Sequence, residues 1–313
     1  ESEKIIRGCV HCGFCTATCP TYVLLGDELD SPRGRIVLMK EMLESGRDAD
    51  ATTVKHVDRC LSCLSCMTTC PSGVNYMHLV DHVRRHIEAT YRRPWSERAL
   101  RLALAAILPS AKRTRLAMAL TRRTRPLASA IAARLPNPLS ARLQAMLALM
   151  PAAAPSDLPL EPGLYGPAGK VRARVGLLAG CVQQALAPEI NRATVRLLNR
   201  LGCDVLVLRE TECCGSVAHH LGRAKQAEAA MRRNILAWDK ENLDAIVSNT
   251  SGCGTMLKDY GFVLREDAEL REAASRIAGK ARDLCEIVSE LGLPKPARAP
   301  ERLRVAYQSA CSM

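Results

Sequence analysis

Cys9-x2-Cys12-x2-Cys15-x3-Cys19-Pro20 and Cys60-x2-Cys63-x2-Cys66-x3-Cys70-Pro71 are two copies of one spacing. Three thiols three residues apart sit on one tight loop and can grip three corners of an iron–sulfur cubane. The fourth corner needs a thiolate from elsewhere. Known proteins with this run use the fourth Cys of each copy, the one before proline, to bind the other cluster. The expected ligands are therefore Cys9, Cys12, Cys15 and Cys70 for one 4Fe–4S cluster, and Cys60, Cys63, Cys66 and Cys19 for a second. Zinc sites usually combine two well-separated pairs, and disulfides belong to oxidising compartments, of which the chain gives no sign. Interlocked ligands place two clusters side by side, within range for electron transfer.

A chain of 313 residues, 48% hydrophobic, has the length of two globular domains. Aromatic residues make up only 3%, so the core must be built from Ala, Leu, Val and Ile. Fifteen cysteines without a signal-type stretch point to a reducing cytoplasm and to metal ligation. No apolar run approaches the roughly 20 residues that span a bilayer. The net charge of +12 is concentrated: residues 98–156 hold ten Arg or Lys and no Asp or Glu. That stripe lacks the interleaved aromatics of a nucleic-acid platform. Its mixed Arg, Leu and Ala helices suit three roles: a solvated face, a cover for a partner subunit, or contact with an anionic membrane surface.

Between the two cysteine runs, Ser31-Pro32 reads as N-cap and first helical residue, with Gly46 as the stop. Thr53 reads as the cap of a short helix, and Asn75 as the cap of a longer one with Val80, Val83, Ile87 and Tyr91 on its apolar face. Residues 95–150 read as four short helices punctuated by Pro109, Pro126, Pro136 and Pro138, capped by Ser96, Ser110 and Asn137. Residues 151–170 are Pro-rich and form the expected domain boundary. The expected layout is thus a two-cluster helical part over 1–94, a basic helical segment over 95–150, a linker over 151–170 and an α/β part over 171–300.

In the α/β part, strand-like runs at 171–179, 204–208 and 244–249 alternate with helices. Cys181, Cys213, Cys214 and Cys253 each follow a strand, where sites assemble in open α/β sheets. Together they are the candidate ligands of a third metal site, with Gly215 giving the adjacent pair its tight turn. A redox-active dithiol and a set of inert buried thiols are the alternatives. Cys203 and Cys285 read as small core residues. His219 and His220 read first as an exposed helix start, and otherwise as polar groups behind the thiols or a proton relay.

These motifs carry a resemblance. The cysteine runs followed by Cys213-Cys214-Gly215 resemble the CCG-domain electron-transfer proteins, which include subunits of heterodisulfide reductase, glycerol-3-phosphate dehydrogenase and lactate-utilisation complexes. More narrowly, the stretch from Cys9 to Tyr22, Leu25 to Arg35, Asp58 to Cys63, Thr69 to Gly73 and Thr250 to Gly254 resemble the iron–sulfur subunits of glycolate oxidase, also called glycolate dehydrogenase. The resemblance implies an α + α/β chain: an α-helical ferredoxin domain with two 4Fe–4S clusters, a helical middle segment and a Rossmann-like CCG domain. It implies FAD-binding partner subunits that oxidise glycolate to glyoxylate, while this chain relays electrons to quinone or another respiratory acceptor. The expected location, from the cysteine usage and the basic helices, is cytoplasmic, with peripheral contact at the cytoplasmic face of the inner membrane. The chain lacks a Gly-rich dinucleotide fingerprint, which places the flavin elsewhere. The general CCG pattern ends in Cys-x2-Cys; Met256 takes the second place here, leaving four thiols. The alternative is a lactate, glycerol-3-phosphate or heterodisulfide oxidoreductase subunit with its own catalytic CCG site.

An internal repeat completes the reading. Arg174-Val175 followed by Cys181 recurs as Arg304-Val305 followed by Cys311, at an offset of 130 residues. One strand cannot bury its own faces, so residues 301–313 are expected to open a second CCG repeat that continues further.

Overall fold

The computed structural model describes residues 1–135, 139–151, 155, 158–293 and 304–306. Pro136, Asn137, Pro138 and Cys311 lie outside them. Two compact units emerge: one gathers Glu1–Arg101 with Gly215–Ala229, the other Leu102–Cys214 with Ala230–Pro300.

The first unit is helical: α1 (Ser2–Arg7), α2 (Pro20–Leu25), a 3-10 turn (Glu28–Asp30), α3 (Pro32–Ser45), α4 (Ala51–Asp58), α5 (Ser65–Thr68) and α6 (Tyr76–Thr90). Ser31 caps α3 by accepting from Gly34 N, Pro32 opens it, and Gly46 ends it in the left-handed conformation. Asn75 caps α6 as expected. The cap of α4 is Asp50, not Thr53: Asp50 Oδ1 accepts from Thr53 N at 2.7 Å. Thr53 is the third helical residue, and a carboxylate there outcompetes a hydroxyl for the helix's free N–H groups. Met39, Met42, Val57, Leu79, Val83 and Ile87 are wholly buried in one core. Each stabilises the unit by about 1.5–3 kcal/mol. Cys9, Cys15, Cys60 and Cys70 pack on the edge of that core, so both cysteine loops rest on a rigid floor.

Residues 95–150 form α7 (Trp95–Ile107), α8 (Ala111–Ala132) and α9 (Leu139–Ala148). Pro126 lies inside α8 and does not break it. Helix α8 contacts α9 and the helix after the first parallel strand, while residues 123–127 around the proline are exposed. The second unit holds a five-stranded sheet built from β1 (Gly163–Tyr165), β2 (Ala173–Leu178), β3 (Cys203–Val207), β4 (Ala245–Ser248) and β5 (Ala281–Asp283). Their order is β1-β3-β2-β4-β5, with β1 antiparallel to β3 and every other pairing parallel. Strand β1 lies within the Pro-rich stretch. The helices from β2 onward are α10 (Cys181–Leu186), α11 (Pro188–Arg200), α12 (Ser216–His220), α13 (Ala224–Trp238), α14 (Ser251–Lys258), α15 (Tyr260–Val263), α16 (Arg271–Lys280) and α17 (Leu284–Leu291), of which α12 and the start of α13, up to Ala229, belong to the first unit.

The central strands read as continuous apolar runs because a parallel sheet is covered on both faces: β4 is buried at all four residues and β2 at its last four. Val175 pairs with Val205 on one side and Ala245 on the other. The chain goes from β2 to β3 in one direction and then crosses over to β4. That reversal makes the C-terminal end of β2 a switch point, where ligand crevices form.

Candidate metal centres

The two cysteine loops share an unusual backbone. Among the described residues, the non-glycine positions with positive φ are His11, Ser62 and Leu64, at 54°, 52° and 63°; Gly13 stands at 87°. His11 and Ser62 each come two residues after the first Cys of a run, Gly13 and Leu64 four residues after. Both loops therefore bend at the same two places. A left-handed residue with a Cβ costs about 1–2 kcal/mol, and the surrounding packing must hold it there. The bends turn successive thiols towards one side. Sequence spacing gave no hint of this cost at Leu64, where glycine would be the easier residue.

The thiols converge on two cavities. One, of about 430 Å³ counted with its open mouth, is lined by Cys9, Cys12, Cys15 and Cys70, with Cys66 also on its wall. The other, of about 320 Å³, is lined by Cys19, Cys60, Cys63 and Cys66. The fourth Cys of each run thus faces the cavity of the other run, and Cys66 belongs to both walls. Zinc held by four thiolates at about 2.3 Å would draw its sulfurs to about 3.8 Å from one another. Among the described residues, the group of three ligand atoms within 4.8 Å of one another is Asp27, Asp30 and His56, and none of the cysteine sulfurs forms one. The spacing suits a larger inorganic core than a single ion. Asp30 itself is not a free metal ligand, since it accepts from His56 Nδ1 at 2.9 Å and Arg59 Nη1 at 2.7 Å and pairs with Arg35 at 3.3 Å.

Burial and the neighbouring thiols push Cys66 up to about 12. A thiolate there needs a cation beside it, as ligation supplies. Fixed donors already reach the sulfurs. Val74 N donates to Cys70 Sγ at 3.4 Å, and Tyr76 Oη to Cys60 Sγ at 3.8 Å. From α6, Arg84 donates to Cys60 O at 2.7 Å and to Ser62 Oγ, which braces the second loop.

The third set forms at the switch point. Cys181 opens α10 after β2, Cys213 and Cys214 follow β3, and Cys253 sits in α14 after β4. Cys181 Sγ lies 3.7 Å from Cys213 Sγ, and Cys214 Sγ 3.3 Å from Cys253 Sγ. All four expected thiols are brought together. Gly215 has φ 89°, the turn that two consecutive inward-facing cysteines require. Contact with Cys213 and burial push the Cys181 thiol well up, and contact with Cys213 and Cys253 does the same for Cys214. Cys181, Cys213 and Cys214 are buried and Cys253 is half-buried, and for Cys181 and Cys214 the thiolate needs a cation such as a bound metal to favour it. An amide network holds the loops: Gln183 Nε2 donates to Asn191 Oδ1 and Asn249 Oδ1, both at 2.7 Å, and Thr250 Oγ1 donates to Gln183 Oε1 at 2.7 Å. Tyr260 Oη donates to Cys214 O at 2.8 Å, and Asn234 Nδ2 to Cys213 O at 2.9 Å.

Three other sequence expectations can be placed. Cys203 opens β3 and is buried, as expected. Cys285 is exposed, because Ile287, two residues on and about 200° round the helix, takes the core-facing position. His219 is not an exposed helix start: it is buried, with Nε2 3.3 Å from Asp81 Oδ2, while His220 Nδ1 donates to Asp81 Oδ1 at 2.9 Å. Burial pushes the Asp81 carboxyl up, but the two imidazoles outweigh it and hold it well below the usual carboxylate range.

Comparison with known proteins agrees with this geometry. Residues 5–74 match the family model described as a 4Fe-4S dicluster domain, and residues 175–258 the one described as a cysteine-rich domain. The chain is 40% identical to the glycolate oxidase iron-sulfur subunit of Escherichia coli over 316 aligned residues, covering 100% of this chain and 72% of that protein. The chain belongs to the glycolate oxidase iron–sulfur subunit family. A second family member, the "Probable glycolate oxidase iron-sulfur subunit" of Bacillus subtilis, is 31% identical, covering 99% of this chain and 72% of its own length. Similarity to lactate utilization protein A of Geobacillus sp. is partial: 31% identity over 140 residues, 45% of this chain and 58% of that protein. No solved structure matches the chain. The two domain matches indicate that the chain carries iron–sulfur clusters.

Proposed function

We propose that this chain is the electron-transfer subunit of a multisubunit, FAD-linked glycolate oxidase. Its partner subunits take electrons from glycolate as it becomes glyoxylate, and this chain passes them to a respiratory acceptor, quinone. The observation that carries the reading is the pair of thiol-lined cavities joined at Cys66, in a chain that aligns over its whole length with the family. When bound, 4Fe–4S clusters supply single-electron transfer, which a flavin partner complements by collecting a two-electron equivalent. In this reading Cys9, Cys12, Cys15 and Cys70 hold one cluster, Cys60, Cys63, Cys66 and Cys19 the second, and Cys181, Cys213, Cys214 and Cys253 a third. The chain's other residues keep water out and fix the thiols: the apolar floor beneath both loops, the guanidinium of Arg84 on Cys60 O, and the amide network of Gln183, Asn191 and Asn249.

The test is an anaerobic preparation of this chain, alone and with its FAD-binding partners, assayed for glycolate oxidation with an artificial dye and with quinone. The chain alone is expected to be inactive with both acceptors. The partners should reduce the dye without it and quinone only with it. Oxidation by the isolated chain would transfer the chemistry to its own cysteine-rich site and favour the lactate, glycerol-3-phosphate or heterodisulfide reading.

The same reading places the protein in the cytoplasm, peripherally attached to the inner membrane by its basic helices. No helix among the described residues is long and apolar enough to cross a membrane. On α8, however, Leu116, Leu120, Leu127 and Ile131 are all exposed and fall within about 60° of arc. Exposed Arg113 and Arg123 flank that stripe, and buried Thr114, Met118 and Ala132 occupy the opposite side. An apolar stripe edged with cations suits the boundary between headgroups and acyl chains. Binding to vesicles containing anionic lipid should fall steeply with added salt, because attraction is screened over about 8–10 Å at physiological ionic strength. Binding that is absent or indifferent to salt overturns the membrane contact.

A further inference from the structure

Arg35 is a charged residue buried where the sequence motifs give no reason for one. Its side chain is 1% exposed and lines the cavity of Cys19, Cys60, Cys63 and Cys66. Nη1 reaches Cys19 Sγ at 3.9 Å, Nε donates to His56 O at 2.6 Å, and Nη2 donates to Thr21 Oγ1 at 3.0 Å. The hydroxyl of Thr21 in turn lies 3.2 Å from Cys19 Sγ. The carboxylate that pairs with Arg35 is Asp30, and Asp30 is shared with Arg59 and His56. One carboxylate thus serves two guanidiniums, and the group keeps a net positive charge beside the cavity. Asp27, 4.0 Å from His56 Nε2, is 42% exposed, so water screens it.

The first cavity is different. Its cation is Arg33, which lies at the surface and is matched one to one by Glu28, at 2.6 Å from Nε and 3.3 Å from Nη2. Cys12 on its wall is exposed to solvent. Iron–sulfur potentials follow net charge, hydrogen bonds to the sulfurs and solvent exposure. Exposure acts on the first site through water, a high-dielectric medium. A guanidinium in the low-dielectric interior, in contact with a ligand sulfur, acts more strongly.

Resting on the ligand sets proposed above, we propose that Arg35 sets the cluster held by Cys60, Cys63, Cys66 and Cys19 at the higher reduction potential of the pair. Electrons supplied through the flavoprotein then collect on the side of the second cysteine run. The step is the gain of one electron at that site from the donor side; no bond forms or breaks and the ligand thiolates stay deprotonated. Arg35 is a potential-setting residue, and it acts through its charge and its contact with Cys19.

The test is a potentiometric titration of the whole reconstituted chain, followed by cluster-resolved EPR. In the wild type the second-run signal is expected to appear at the higher potential. Arg35→Met should move that midpoint down and leave the first-run midpoint in place. Arg35→Lys, which keeps a charge, should restore most of the difference, and it serves where the methionine variant fails to load iron. A wild-type order in which the first-run signal titrates higher overturns the proposal. So does a second-run midpoint that follows side-chain size and not charge. If Cys19→Ser leaves both signals intact, the ligand sets are wrong, and the proposal falls with them; if Cys19→Ser removes the second-run signal, a failure in the Arg35 variants counts against Arg35 alone.

Discussion

Cys19→Ser is expected to cost the chain the cluster of the second cysteine run and to spare that of the first, although Cys19 belongs to the first run in sequence. Anaerobic reconstitution should give about eight iron atoms in the helical part of the wild type and about four in the variant. Cluster-resolved EPR should show the loss in the signal assigned to Cys60, Cys63 and Cys66. Cys19 is buried and lines the second cavity with those three thiols, and it is absent from the wall of the first. A serine oxygen is a harder and shorter ligand than thiolate, and the neighbours at Cys19, Thr21 Oγ1 and the Asp30 carbonyl, would hold the hydroxyl in their own hydrogen bonds. Cys70→Ser is the reciprocal case, because Cys70 lines the first cavity. Loss of the first-run signal in Cys19→Ser would mean that each run binds its own cluster.

That the first three thiols of each run line one cavity was legible because ligand spacing is a local property; that the fourth lines the other cavity was expected from known proteins with this run and not from the spacing. The strand-end placement of Cys181, Cys213, Cys214 and Cys253 was legible for a related reason, since buried parallel strands announce themselves as apolar runs. Long-range polar pairing was not legible. Asp30, His56 and Arg35 are 26 and 5 residues apart along the chain, and Asp81 lies 139 residues from His220. No pattern in the sequence marks such partners, because a buried charge looks like any surface charge until the fold brings its counter-ion to it. The same limit explains His219, which reads as a surface residue and is buried against Asp81. Helix count failed at Pro126 for a different reason: proline predicts a break from local cost alone, and α8 runs through it from Ala111 to Ala132.

Gly34→Ala is expected to destabilise the helical unit by about 3 kcal/mol or more, at the upper end of what added core volume costs. Gly34 lies in the first turn of α3 with an ordinary helical backbone, so its role is space, not conformational freedom. A Cβ at this position would stand 2.0 Å from Glu28 O, 2.8 Å from Glu28 C and 3.0 Å from Leu29 Cα. All three are backbone atoms, which cannot swing aside as a side chain does. The 3-10 turn would have to move off α3, and that turn carries Asp30, on which Arg35, His56 and Arg59 converge. Breaking a buried ion pair costs about 3–5 kcal/mol when a charge is left without its partner. The damage should therefore extend beyond stability: Cys19 lies beside the Asp30 carbonyl, so the second-run cluster should be lost on dilution or mild heating before the first. Chemical denaturation with parallel iron release measures both effects. Gly279→Ala is the control, since nothing lies within 4 Å of its Cβ and a helical glycine gives up about 0.5–1 kcal/mol relative to alanine. Equal midpoints for the two variants, or iron lost from both sites together, would show that the backbone contact at Gly34 does not hold the second site in shape.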